Sequence, residues 1–220
     1  TRTSLRAQID RAEFGGRDFG GIELDAELDS QRLSGRISDR DEALRLLLSV
    51  SGTLTEREQR IGLSGSVFGF DLAALGVSPE PIGGSFALDA SASAAGKGAY
   101  AARIALDSIE IRNKHRTDRI RPTSVSLHTD SAATRAEAAS GDLSLTFSTP
   151  QSADSLIAAL TRSARALAGQ IDAQSIDMEQ LKPALPDFAL RVSAGPDNIL
   201  NSLLKSRKIA FDALNAEGAN

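Results

Sequence analysis

Glu23, Asp25, Glu27 and Asp29 stand two residues apart and form the densest set of chemically capable groups in the sequence. Such a row suggests two chemistries. A carboxylate pair does general acid–base work when one member sits in an apolar pocket with a raised pKa, and carboxylates bind calcium when an oxygen-rich loop completes the shell. The intervening residues decide the matter. Ile22, Leu24, Ala26 and Leu28 alternate with the acids, and a strand turns successive side chains to opposite faces. All four carboxylates therefore share one face, with no apolar residue among them and no EF-hand spacing nearby. The row reads as the solvated side of a one-sided antiparallel sheet.

The remaining candidates are thinner. Arg112, Lys114, His115, Arg116, Arg119 and Arg121 have only Asp118 as a counter-charge within their stretch. They read either as a contact for anionic lipid headgroups or an acidic partner, or as a solvated connection that protects a sheet edge. His128 alternates with Ser124 and Ser126 and so faces water, while His115 lies in the basic stretch. Neither has a second imidazole or thiolate at metal-ligand spacing. Gly65-Ser66-Val67-Phe68-Gly69 places its Ser wrongly for a nucleophile elbow. Gly96-Lys97-Gly98 lacks the third Gly and the following helix of a phosphate loop. There is no Cys, which excludes thiol catalysis, disulfides and thiolate metal sites. No catalytic residue, cofactor or metal ion is expected, and the chain is not read as an enzyme.

Composition points the same way. At 220 residues, 41% are hydrophobic but only 4% aromatic, with no Trp, so Leu, Ile, Val and Ala carry the burial. A net charge of −4 and a pI near 5.3 argue against nucleic acid as a partner. No apolar run approaches the roughly 18–20 residues that span a bilayer, and no signal-peptide pattern opens the chain. The sequence starts at Thr1, already strand-like with Leu5, Ala7 and Ile9, and is read as a piece of something longer.

The elements that must position these groups follow from periodicity. The period of two seen at residues 22–29 returns at Leu44, Leu46, Leu48 and Val50, at Ile61, Leu63 and Val67, at Phe86, Leu88, Ala90 and Ala92, and at Leu143, Leu145 and Phe147. Strands are predicted over Ser4–Phe14, Ile22–Asp29, Gln31–Ser38, Leu44–Leu54, Gln59–Phe70, Ser85–Ala94, Ala99–Ile111, Thr123–Thr129, Thr134–Ala139 and Asp142–Ser148. Asp39–Glu42 is expected as a charged turn, and Asp71–Gly76 as one helical turn with an Asp cap and a Gly stop. Parity changes after Val67 and again between Leu106 and Ile109, as a bulge or strand end would produce.

After Pro150 the period changes to about 3.6. Leu156, Leu160, Ala164, Leu167 and Ile171 mark a helical stripe that could cover part of the oily face. A short helix over Asp177–Lys182, a strand over Phe188–Ser193 and a third helix opening at Gly195-Pro196-Asp197 follow. Ile209 and Phe211 mark a last strand, and Ala213–Asn220 a polar tail. The organisation expected is a repetitive β segment over 1–150, a helical insertion packing on the sheet over 151–187, and a strand–helix–strand continuation over 188–220. Close strands without crossover helices predict a mainly β, antiparallel fold; closed barrel, sandwich and open curved sheet are all compatible with the pattern.

Gly20-Gly21-Ile22-Glu23-Leu24, the turn Leu72-Ala73-Ala74-Leu75-Gly76, and Gly84-Ser85-Phe86-Ala87-Leu88-Asp89-Ala90 resemble repeated units of TamB-like proteins. The segment Asp107–Ser124, together with Ser140-Gly141-Asp142-Leu143-Ser144-Leu145, resembles the long TamB homologues of Bacteroidetes, and the resemblance runs over most of the chain. It implies a periplasmic portion of an inner-membrane-anchored envelope protein, related to the AsmA-like group, whose anchor lies outside this sequence. It also implies a long U-shaped β-sheet whose hydrophobic groove carries phospholipid acyl chains toward the outer membrane, and a barrel-type assembly partner there. The helical stretch at 152–183 departs from a plain β-repeat and puts the continuity of the groove in question.

On that reading Leu44, Leu46, Leu48, Val50, Ile61, Leu63, Phe86, Leu88, Ile104, Leu106, Leu143, Leu145 and Phe147 line the groove, and the small Ala90, Ala92 and Ala102 leave room for a chain. The reading from another class is an assembly scaffold whose open edges capture client strands of outer-membrane proteins by β-augmentation.

Overall fold

The computed structural model describes residues 2–10, 12–14, 17–19, 21–96, 98–172, 185–205 and 211–219. Alternating residues form strands nearly wherever the sequence predicts them. β1 (Arg2–Ile9), β2 (Ala12–Phe14), β3 (Arg17–Phe19), β4 (Ile22–Asp29), β5 (Arg32–Arg40), β6 (Leu44–Leu54), β7 (Glu58–Asp71), β8 (Gly83–Ala95) and β9 (Ala99–Arg112) come first. β10 (Thr117–Ile120), β11 (Thr123–Thr129), β12 (Thr134–Ser140), β13 (Leu143–Thr149), β14 (Ala189–Ala194) and β15 (Leu214–Ala219) complete the series. Among the described residues, thirteen strands make one sheet in the order β1-β4-β5-β6-β7-β8-β9-β11-β12-β13-β14-β15, with β10 alongside β9 and a separate β2–β3 hairpin. Every pairing in it is antiparallel, and β1 is not paired with β15. The fold is therefore a long, curved, open antiparallel sheet; barrel and sandwich are ruled out.

Both parity changes are bulges. Leu46 pairs with Val67 and Arg45 with Gly69, so Phe68 is the extra residue against β6 and stands exposed. Ser85 pairs with Glu110 and Ala87 with Asp107, so Ser108 and Ile109 face one residue of β8. Ser108 has φ +51°, the left-handed conformation that a bulge accommodates. The bulge divides the long edge of β9: residues before it pair with β11 and those after it with β10. Beside these bulges Leu48, Val67 and Ile109 are buried, and the rings of Phe70 and Phe86 lie 6.1 Å apart in a tilted arrangement. Here the sheet buries its large apolar side chains.

Several boundaries differ from expectation. The strand expected over Ser4–Phe14 stops at Ile9; the β2–β3 hairpin intervenes, and the N–H of Gly21 then closes onto the Ile9 carbonyl at 3.1 Å at the start of β4. The charged turn begins later, because β5 runs through Arg40 and buries Asp39, whose carboxylate accepts the Asp41 N–H at 2.8 Å. Part of the basic stretch is itself the strand β10. Phe211 precedes the last strand, which occupies 214–219, where a polar tail was expected. The short helix expected at 177–182 and position 209 lie outside the described residues. The turn at Asp71 is as expected: its carboxylate accepts the N–H groups of Ala73 and Ala74 at 2.8 and 3.1 Å.

Two helices are described, α1 (Ala153–Asp172) and α2 (Ile199–Lys205). Both are held at rims of the sheet. The entry to α1 is fixed by the Ala153 N–H on Thr129 Oγ1 at 3.0 Å and by Thr134 Oγ1 donating to the Gln151 carbonyl at 2.8 Å. Its first turns dock through Leu156 and Ala159, which are buried, while Ile157, Leu160 and Ala164 are exposed; the side chains of Leu167 and Ile171 lie outside the described residues. The expected stripe is thus not a buried one at Leu160 and Ala164.

α2 is seated at the opposite rim, with the Ile199 N–H on Ser140 Oγ at 3.2 Å. Asn198 caps it, accepting the Asn201 N–H at 2.9 Å and donating to Asp142 Oδ1 at 2.6 Å. The Asn198 amide, with the backbone N–H groups of Asp197 and Gly195, holds the Asp142 carboxyl below its ordinary range. A depressed carboxylate stabilises the folded arrangement above its ordinary pKa, and that contribution is lost as pH falls through the lowered value. Amide exchange of α2 should therefore accelerate on acidification below the ordinary carboxylate range. Asp142→Asn should remove that pH dependence; its persistence in the variant would assign it to another group.

Candidate functional site

Register turns the alternation into a surface. One row of cross-strand partners runs Leu5, Ala26, Gly35, Val50, Leu63, Ala90, Ile104, Val125, Ala138, Leu145, Val192, Ala216, one residue from each strand in turn. No polar side chain interrupts it. The adjacent row runs from Leu28 through Leu33, Gly52, Ile61, Ala92, Ala102, Leu127, Ala136, Phe147 and Leu190 to Gly218, again without a polar side chain. The row on the other side carries Ala7, Leu24, Ile37, Leu48, Leu88 and Leu106 before it becomes polar at Thr123 and Ser140.

At a strand spacing of about 4.8 Å the first row spans roughly 50 Å, and the strip is three apolar rows, about 13 Å, wide from β4 to β9. Its area stands at the upper end of the range for the largest apolar patch of an ordinary monomer, about 300–600 Å². Among the described residues, its middle and its β1 end are open. Leu5 is 56% exposed, Ile104 50%, Val125 49%, Ile61 44% and Leu127 40%.

The thirteen residues expected to line a groove all fall on this face, by the alternation of β6, β7, β8, β9 and β13. Their depth differs. Leu48 is buried near the bulges, Ile61 and Ile104 are open, and Leu44, Leu46, Val50, Leu63, Phe86, Leu88, Leu106, Leu143, Leu145 and Phe147 are half-buried. The expectation omitted Leu5, Val125, Leu127, Leu190 and Val192, which carry the strip to both ends. The signal for them was the same alternation, read in shorter strands. Phe147 is further supported by Phe188, stacked at 6.2 Å between centroids. The helices dock at the Thr129–Thr134 and Ser140 rims, so the centre of the strip over β9 and β11 stays open.

The opposite face carries the charges, and the carboxylate row is neutralised there. Glu27 pairs with Arg2 and Asp25 with Arg6, while Arg36 and Arg32 stand directly across from Asp25 and Asp29. The acids thus neither converge on a calcium-sized site nor form an isolated acid–base pair. In the basic stretch, Arg116 pairs with Asp118 at 2.7 Å, Arg112 and Arg119 approach Glu110 at 3.8 and 3.9 Å, and Arg121 clamps Asp197 ahead of α2 at 2.6 Å. His115 is exposed in the β9–β10 turn, and His128 is exposed on the polar face. Among the described residues, no group of His, Asp or Glu could hold a metal ion, and no helix is long and apolar enough to cross a membrane.

Compared with known proteins, the chain matches no family model, no curated protein and no solved structure.

Proposed function

We propose that this chain is a lipid-conducting segment of an inner-membrane-anchored, TamB-like envelope protein, its apolar strip carrying phospholipid acyl chains across the periplasm toward the outer membrane. The observation that carries the reading is the row of twelve cross-strand partners without a polar side chain, open to its surroundings along the middle. An acyl chain laid on such a strip buries each methylene at about 0.8 kcal/mol. The alanines of β8, β9 and β12 lower the floor without breaking its character. Movement along the strip needs no polar recognition and no catalytic group. Native mass spectrometry with lipid extraction tests this. Phospholipid should accompany the purified protein at a defined stoichiometry, and protein free of lipid even after incubation with phospholipid vesicles would sink the reading.

A second reading rests on the edges. Neither β1 nor β15 contains Pro, and neither has a second neighbour among the described residues. Such edges suit capture of client strands by an assembly scaffold, beside a barrel-type partner in the outer membrane. Of two consecutive residues in β15, one N–H points away from β14. Proline scanned at Asn215 and Ala216 should therefore abolish client-strand capture at one of them while β14 and β15 stay paired. Capture surviving both substitutions would exclude β15 as the edge used.

A further inference from the structure

The polar face balances its arginines with carboxylates across strands, as at Arg2, Arg6 and Arg191, which close ion pairs with Glu27, Asp25 and Glu217. Arg103 and Arg135 depart from this pattern, as do the register partners Arg40 and Arg45 near the other end of the sheet. Arg103 stands between Ser91 and Ser126 in register, and Arg135 between His128 and Ser148. Neither closes an ion pair among the described residues. Both border one open depression of about 600 Å³ on this face, together with Arg60, His128 and the hydroxyls of Ser91, Ser93 and Ser126. Glu137 is its one carboxylate, and Arg60 is already tied to Glu58 at 2.8 Å. The neighbouring Asp130 is turned into its own hairpin, accepting the N–H groups of Ala132 and Ala133 at 2.7 and 2.9 Å.

We propose that this depression binds a phosphate-type oxyanion, with Arg103 and Arg135 as its principal ligands. Two uncommitted guanidinium forks offer the planar donor pairs that match phosphate oxygens, and Ser91, Ser93 and Ser126 add hydroxyl donors at the floor. The small side chains of Ala101 and these serines let the anion approach the sheet between the longer arms. The site lies on the reverse of the sheet from the apolar strip, so an acyl chain on that strip does not bring its headgroup here. The phosphate is therefore either a free soluble compound or the headgroup of a separate lipid.

Isothermal titration of the whole chain with inorganic pyrophosphate, and separately with short-chain phosphatidate below its micelle concentration, tests the assignment. Pyrophosphate should bind saturably at one site. Arg103→Gln and Arg135→Gln should each weaken it about tenfold, a loss of about 1.4 kcal/mol. Glu137→Gln should tighten it, and Arg119→Gln, which removes the same charge from the basic hairpin, should leave it unchanged. Binding of pyrophosphate alone identifies a free phosphate compound as the ligand; binding of both, with the same arginine dependence, extends it to headgroups. Absence of saturation, equal weakening by Arg119→Gln, or phosphatidate binding lost with Ile104→Glu but not with Arg103→Gln would each overturn the proposal. All five positions are exposed, so folding is expected to survive the substitutions.

Discussion

Ile104→Glu combined with Val125→Glu is expected to strip phospholipid from the protein while leaving it folded. The two residues are direct cross-strand partners at the centre of the apolar strip, 50% and 49% exposed. Neither fills a cavity, and two like charges set opposite each other cost only about 0.2–1 kcal/mol of sheet stability. The effect on a bound acyl chain is far larger. Two ionised carboxylates in the floor would each need burial beneath the chain, so the chain must lift and forfeit the methylene burial on both sides of them. Lipid content by native mass spectrometry should fall more than tenfold, with an unchanged β-sheet circular dichroism spectrum. Retention of lipid by the folded double variant would end the proposal that this strip is the lipid path. Leu48→Glu is the wrong test, since Leu48 is 7% exposed and its ionised replacement would unfold the packed end of the sheet.

Gly65→Ala is expected to be the most destabilising single-methyl addition of these tests, at a cost on the order of 3 kcal/mol. Gly65 sits in β7 with φ +152°, and a Cβ there would run into the Leu47 carbonyl oxygen and lie 2.9 Å from Leu48 Cα. Both obstacles are backbone of the paired strand, so relief requires β6 and β7 to separate next to Leu48. Gly96→Ala provides the contrast: its φ of +62° is left-handed, but the added methyl meets nothing within 4 Å, and the cost should be about 1 kcal/mol. Denaturant unfolding of both variants, with amide exchange across β6 and β7, reads the difference. Equal losses would mean that backbone conformation alone, and not the close approach of β6, sets the requirement at Gly65.

The sheet is legible because a period of two survives in nearly every strand, and a slip in that period marks the places where both bulges lie. What escaped was whatever depends on register or on small residues. β10 carries Thr117, Asp118, Arg119 and Ile120, a sequence with no apolar alternation, and becomes a strand because β9 offers it an edge beyond the Ser108 bulge. β15 was read as a tail because Ala216 and Gly218 give little hydrophobic contrast with Asn215 and Glu217; pairing to β14 supplies the order instead. In α1 the 3.6 period located the helix and its buried Leu156 but not the buried Ala159 or the exposure of Leu160 and Ala164, since hydrogen bonds at Thr129 and Thr134 fix the entry to the helix. That the thirteen residues share one apolar face was legible from alternation alone. The isolation of Arg103 and Arg135 was not, because a missing cross-strand partner has no signature along the chain.

The strand order of the main sheet follows the chain, so each strand is bonded chiefly to those just before and after it in sequence. Such a body is held together as a one-dimensional array, in which stability is a sum of neighbouring interfaces. From β4 to β13 the loop closures are short, which favours zipping from a stable hairpin there. β7, β8 and β9, the longest strands, are the natural starting point. Disassembly runs the other way, by fraying from β1 and β15 inward, so the two ends can open and reclose while the centre of the strip keeps its shape.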